Sequence, residues 1–130
     1  MTELQRTIAR PVSFSGIGLH AGQNVTMSLL PAEVNSGIRF RRVDLEGSPE
    51  IPALVDFVTE NARSTTISNK EAKAQTVEHA MATFMGRGID NLIIEIDASE
   101  PPIGDGSSRF YNRLIDQAGI CEQEAPREYI

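Results

Sequence analysis

Residues Asn91-Leu92-Ile93-Ile94-Glu95-Ile96 form a nearly unbroken apolar run. A run this short, continuous and rich in β-branched side chains reads as a central strand of a sheet, and the rest of the chain must supply its cover. Upstream, Val25, Met27 and Leu29 alternate with Thr26, Ser28 and Leu30, the period-2 pattern of a half-buried strand, which stops at Pro31. Asn35-Ser36-Gly37 is a turn. Ile38 and Phe40 then alternate with Arg39 and Arg41, which predicts a hairpin with the preceding strand. Thr7 to Phe14 reads as a strand interrupted by Pro11, and so as one near a sheet edge. Asp44 to Pro52 is polar and turn-rich, Ala53 to Val58 and Ser64 to Ser68 read as short strands, and Asn69 to Lys73 as a turn.

Two segments carry helical periodicity instead. Val77, Ala80, Met81, Phe84 and Met85 form one apolar stripe, with Thr76 as the N-cap and Gly86 and Gly88 able to close the helix. Asp105-Gly106-Ser107-Ser108 opens a second helix whose stripe is Phe110, Tyr111, Leu114, Ile115 and Ala118, and Gly119 stops it. Strands first, then helix, strand and helix, is an α+β order. The expected fold is a two-layer sandwich, a mainly antiparallel sheet with two helices on one face.

Composition enters chiefly as exclusion. A formal net charge of -6 argues against a nucleic-acid binder, which needs a basic face to displace counterions. No apolar run approaches the ~20 residues that span a bilayer, and Met1 to Arg10 lacks a signal-peptide core, so a cytoplasmic protein with no transmembrane segment is expected. The single cysteine, Cys121, excludes an internal disulfide framework and any multi-cysteine zinc site.

The stretch with most chemical content is Thr76-Val77-Glu78-His79-Ala80. At a helical step of about 100° per residue, Glu78 falls on the flank of the stripe and His79 points away from it. A histidine near a helix N-terminus is held toward the neutral ring that binds metals, and a carboxylate there is stabilised as an anion. Glu beside His is what metal-assisted hydrolysis needs, a base next to an activated water. The same pair equally describes a solvated helix face. There is no HExxH, and a catalytic zinc takes about three protein ligands. The chain has two histidines, so the other candidates are His20, Cys121 and the carboxylates, and spacing does not choose among them.

Two further features carry two readings each. Ser15-Gly16-Ile17-Gly18-Leu19-His20-Ala21-Gly22 is a tight connection whose glycines serve positive φ or close backbone approach. As a phosphate cradle it lacks both the Lys-Ser/Thr ending and GxGxxG, and His20 reads as a hairpin residue. Arg39, Arg41 and Arg42 either meet a phosphorylated ligand or lie on a solvated strand face.

Four motifs occur in order: the glycine-rich stretch from Ser15 to Gly22, Thr76-Val77-Glu78-His79, Gly88-Ile89-Asp90-Asn91, and Pro101-Pro102-Ile103-Gly104-Asp105-Gly106-Ser107. Together, over about Gln5 to Gly119, they resemble the N-terminal domain of the UDP-3-O-acyl-N-acetylglucosamine deacetylases. These are zinc amidases of lipid A, and hence lipopolysaccharide, biosynthesis in Gram-negative bacteria. The resemblance implies two similar α+β domains with the active site between them, a UDP-sugar lipid substrate, and Zn2+ as cofactor. It implies that Glu78 is the general base and His79 a zinc ligand. The other ligands, a His and an Asp one helical turn apart, and a catalytic His and Lys, would come from the C-terminal domain. His20 and Asp105 fall in motifs near that active site. Each is therefore either a substrate-contacting or supporting group, or a structural one, Asp105 as a helix-start residue. On this reading residues 1–122 form the N-terminal domain and 123–130 the linker or first strand of the second. The competing expectation is a non-catalytic binding or scaffolding module of the same fold, since fold does not fix function.

Overall fold

The strand Leu92–Ile96 lies third in a five-stranded sheet, as its apolar run requires. The structure is a computed structural model that describes residues 3–18, 22–53, 58–60, 65–68, 72–75, 77–102 and 108–127. In chain order its elements are β1 (Leu4–Ile8), β2 (Val12–Ile17), β3 (Asn24–Pro31), β4 (Ile38–Arg42), β5 (Glu50–Pro52), β6 (Val58–Glu60), β7 (Thr65–Ser68) and β8 (Lys73–Gln75). They are followed by α1 (Glu78–Gly86), β9 (Leu92–Ile96), α2 (Ser108–Ala118) and β10 (Ile120–Pro126).

The main sheet runs β2-β3-β9-β4-β5. All its pairs are antiparallel except β4 with β9. The expected hairpin between β3 and β4 therefore does not form. The most apolar strand inserts between them, so that both of its edges are paired and its inner face is fully buried. Register places Val12, Phe14 and Gly16 of β2 opposite Leu29, Met27 and Val25 of β3, on the face that packs against the helices. The opposite face carries a polar row across the sheet, Ser13, Ser28, Glu95, Arg41 and Glu50. Ser13 and Ser28 share a 2.8 Å hydroxyl bond, and Arg41 reaches Glu95 at 3.0 Å and Glu50 at 2.7 Å.

Pro11 divides the strand expected over Thr7 to Phe14 into two that belong to different sheets. β1 pairs antiparallel with β10, which overlaps the polar segment 123–130 expected as a linker or as the first strand of a second domain. That ribbon crosses the expected boundary between residues 122 and 123. β6, β7 and β8 form a small antiparallel sheet that contributes Ile67 and Ala74 to the core. β5 and β8 occupy parts of the sequence that had read as turns.

The helices pack on each other and on β2. Phe110 meets Phe14 edge-on with ring centroids 4.3 Å apart, and Tyr111 meets Phe84 at 5.8 Å. α2 buries all five expected stripe residues, and Gly119 (φ 75°) ends it with its N–H on the Ile115 carbonyl. α1 departs from expectation at both ends. Its N-cap position is Val77, which forms no side-chain cap bond, and Thr76 lies outside the described residues. Val77, Ala80 and Phe84 are buried, but Met85 is 65% exposed, and Thr83 takes a buried place by bonding its hydroxyl to the His79 carbonyl. At the C-terminus Gly88 (φ 75°) donates to the Met85 carbonyl and Ile89 to that of Phe84, the two bonds of a Schellman motif. No helix among the described residues is long and apolar enough to cross a membrane.

Candidate functional site

Glu78 and His79 occupy the first turn of α1, with Glu78 half-buried and His79 exposed. The buried stripe of Val77, Ala80 and Phe84 fixes this orientation, because it turns the next two positions outward.

The structure brings the first and fourth motifs together, at Gly18 and Pro102. Tyr111, on α2, is buried and donates its hydroxyl to the Pro102 carbonyl at 3.2 Å. Burial, and then the negative charge of Glu78, raise the Tyr111 phenol above its ordinary pKa of 10.0. Pro102 in turn bridges to Gly18 at the end of β2. Tyr111, Pro102 and Gly18 are therefore linked by contacts, and the charge of Glu78 bears on the Tyr111 phenol. Sequence reasoning treated Tyr111 only as a core residue. Its phenol end was the available signal, because a buried tyrosine hydroxyl has to find an acceptor.

The glycines of the first motif have separate reasons. A Cβ on Gly16 would lie 2.8 Å from the Phe14 ring and 3.0 Å from Pro102 Cβ. A Cβ on Gly18 would lie 2.5 Å from Glu100 Oε1. Both make room for the segment at 100–102, and only Gly22, at φ 64°, needs the left-handed conformation. His20 and Asp105 lie outside the described residues.

The third motif lies apart, beyond the far end of α1. Asp90 accepts from the Arg6 backbone N–H at 2.9 Å and from Arg127 Nε at 3.0 Å. Asn91 is buried and donates to Gln5 and Gln123 while accepting from the Gly37 N–H. Asp90 ties β1 to the residue that follows β10, and Asn91 ties β1, β10 and the turn before β4 together.

The arginine cluster is engaged within the chain. Arg41 sits between Glu50 and Glu95, and its hydrogen bond to Glu50 is the leading cause of its raised pKa. Arg42, buried on the opposite face, donates twice to Asp44 and once to the Lys73 carbonyl. Arg39 donates to the Ser36 carbonyl and lies 3.7 Å from Glu50.

For a metal, His79 offers an imidazole, a donor that suits zinc, at an exposed position beside a carboxylate. Among the described residues no group of three or more His, Cys, Asp or Glu side chains is placed to hold an ion. The geometry therefore fits one ligand and one base.

Comparison with known proteins gives these residues a lineage. The family model described as LpxC, UDP-3-O-acyl N-acetylglycosamine deacetylase, matches residues 5–130. A UDP-3-O-acyl-N-acetylglucosamine deacetylase of Chlamydia pneumoniae is 52% identical over 121 residues, covering 92% of this chain and 43% of the relative. One from Stenotrophomonas maltophilia (strain K279a) is 47% identical over 126 residues, covering 97% and 42%. One from Psychrobacter sp. (strain PRwf-1) is 46% identical over the same length, with the same coverage. The chain thus spans about two-fifths of the length of these curated relatives. With a match that runs through nearly all of its residues, the chain belongs to the UDP-3-O-acyl-N-acetylglucosamine deacetylase family.

Proposed function

We propose that this chain is the N-terminal domain, residues 1–122 with 123–130 leading onward, of a cytoplasmic zinc-dependent amidohydrolase. Its substrate is the UDP-linked, O-acylated N-acetylglucosamine of lipid A biosynthesis, from which it removes the N-acetyl group. The observation that carries this reading is the outward pair Glu78 and His79 on the first turn of α1, in a chain of this family.

His79 would donate a ring nitrogen to Zn2+. A zinc ion there supplies Lewis-acid polarisation of the amide carbonyl and acidifies water. Glu78 accepts the proton of the attacking water and later returns it to the leaving amine. Glu78 is half-buried, and its negative charge bears on the buried Tyr111 phenol. His20 and Asp105 are proposed to contact substrate or support the groups that do, because both lie in motifs flanking Gly18 and Pro102. The remaining zinc ligands are proposed to come from the C-terminal domain, so this chain alone binds zinc weakly and releases no acetate.

A zinc titration of the isolated chain, by calorimetry, tests the ligand assignment. Weak binding that His79→Ala abolishes is expected. Tight stoichiometric binding that survives His79→Ala would refute it.

A further inference from the structure

The motif Gly88-Ile89-Asp90-Asn91 lies at the opposite end of α1 from Glu78 and His79, and the proposed chemistry leaves it without a task. Its bonds converge on the ribbon of β1 and β10. The Asp90 and Asn91 N–H groups both donate to the Arg6 carbonyl, at 2.9 and 3.1 Å. The Asp90 carboxylate accepts the Arg6 N–H on Oδ2 at 2.9 Å and Arg127 Nε on Oδ1 at 3.0 Å. The Asn91 amide reaches both strands, donating to Gln5 on β1 and Gln123 on β10. Arg127, the residue after β10, is held again on Glu3, its N–H on the Glu3 carbonyl at 2.8 Å and its guanidinium on the Glu3 carboxylate at 3.3 Å. The Arg127 and Asp90 side chains are only 27% and 23% exposed, so their charge-assisted bond is partly shielded from water. β10 itself is mostly exposed, so apolar burial does little to place it. Burial is non-directional, whereas hydrogen bonds fix distance and angle. A strand docked by polar side-chain bonds is therefore held in one direction.

We propose that Asp90 and Arg127 are positioning residues that fix the direction in which the chain leaves this domain, and with it the placement of the following domain against Glu78 and His79. Asp90 acts through Arg127. Gly88 closes α1 and Asp90 follows two residues on, so the anchor is continuous with the helix that carries the pair. The nine residues of α1 are about 13 Å of helix between them, at 1.5 Å per residue. The inference rests on the deacetylase reading above and adds to it the joint that aligns the two walls of its site.

The test uses the proposed two-domain enzyme with Cys121→Ser, one spin label at Gln117→Cys on the exposed side of α2 and a second in the following domain. Label distance, kcat, zinc affinity and thermal unfolding are measured on each variant. Arg127→Ala removes both guanidinium bonds. It is expected to broaden the label distance, to lower kcat by ~10-fold through misalignment, and to weaken zinc binding by ~10-fold as one half-site loses effective concentration at the other. Arg127→Lys, which keeps the charge without the planar fork, is expected to recover part of each loss. Arg41→Ala removes a comparable pair with Glu50 and Glu95 on the outer face of the sheet, and is expected to leave distance, kcat and zinc affinity unchanged. Should Arg127→Ala fail to fold, Asp90→Asn decides, because its amide still accepts the Arg6 N–H but turns an NH2 toward Arg127. An unbroadened distance with wild-type kcat in the deciding variant would overturn the proposal and leave the deacetylase reading intact. Equal effects from Arg41→Ala would overturn it too, since the loss would then be one of stability. A wild-type enzyme that releases no acetate would refute the deacetylase reading, and a distance that the deciding variant leaves unbroadened would refute the joint.

Discussion

Asn91 illustrates how one side chain can hold distant segments together. Its amide nitrogen reaches Gln5 at 2.9 Å and Gln123 at 2.7 Å, and its oxygen takes the Gly37 N–H at 3.0 Å. Asn91→Ala would take the partner from the part-buried Gly37 N–H and Gln123 Oε1 and remove one of the two bonds to the buried Gln5 Oε1. It is expected to lower unfolding free energy by roughly 2–4 kcal/mol in urea titration. Ser13→Ala, which removes one exposed hydroxyl from the Ser13–Ser28 pair, is expected to stay within about 0.5 kcal/mol. The sequence marked Asn91 as part of a motif without showing its task, because its partners lie 86, 32 and 54 residues away. Asp44 gives the matching electrostatic case. Its hydrogen bonds from Arg42 hold its pKa below the ordinary 3.8. A lowered native pKa gives stability that is complete above the unfolded value and is lost as pH falls through the native one. Asp44→Asn is therefore expected to flatten the acid limb of the stability profile below about pH 4, followed by thermal unfolding across pH. An unchanged acid limb would count against the pairing.

At the level of elements, what is local was legible and what is long-range was not. The stripe from Phe110 to Ala118 with Gly119 behind it specifies α2, since residues three and four apart share a face. Gly88 after α1 foretold its ending, but Met85 lies exposed and Thr83 buried because packing, not polarity alone, sets the stripe. Strand partners were harder. Alternation shows that β3 and β4 are strands, but not that β9, some fifty residues on, comes between them. β10 was legible only as a linker or a strand of a second domain, not as the partner of β1, because most of its residues are exposed and it lacks the apolar signal of a buried strand. Tyr111 joins the two helices and offers a test at this scale. Its raised pKa means that the native state holds the phenol proton more tightly. That contribution is intact below the unfolded value of 10.0 and declines as pH rises above it. Tyr111→Phe is expected to reduce the alkaline loss of stability, measured by thermal unfolding above pH 10. An unchanged alkaline slope would show that the buried phenol is not its source.

For the whole molecule, the sheet and its two helices set one end of α1 as the candidate site and the other as a structural joint. Glu78 and His79 emerge at the first, and Asp90 and Asn91 bind the ribbon of β1 and β10 at the second. The outward direction of Glu78 and His79 was legible from helical periodicity. The convergence of Gly18, Pro102 and Tyr111 was not, because it depends on where β2 ends relative to α2. The central claim is that Glu78 acts as the base of a hydrolytic site to which this chain contributes one wall. Acetate release by the proposed two-domain enzyme carrying Glu78→Gln, with zinc content measured on the same sample, tests it most directly. Turnover reduced by ~10²- to 10⁴-fold with zinc retained is the expected result. Undiminished turnover with zinc bound would contradict it.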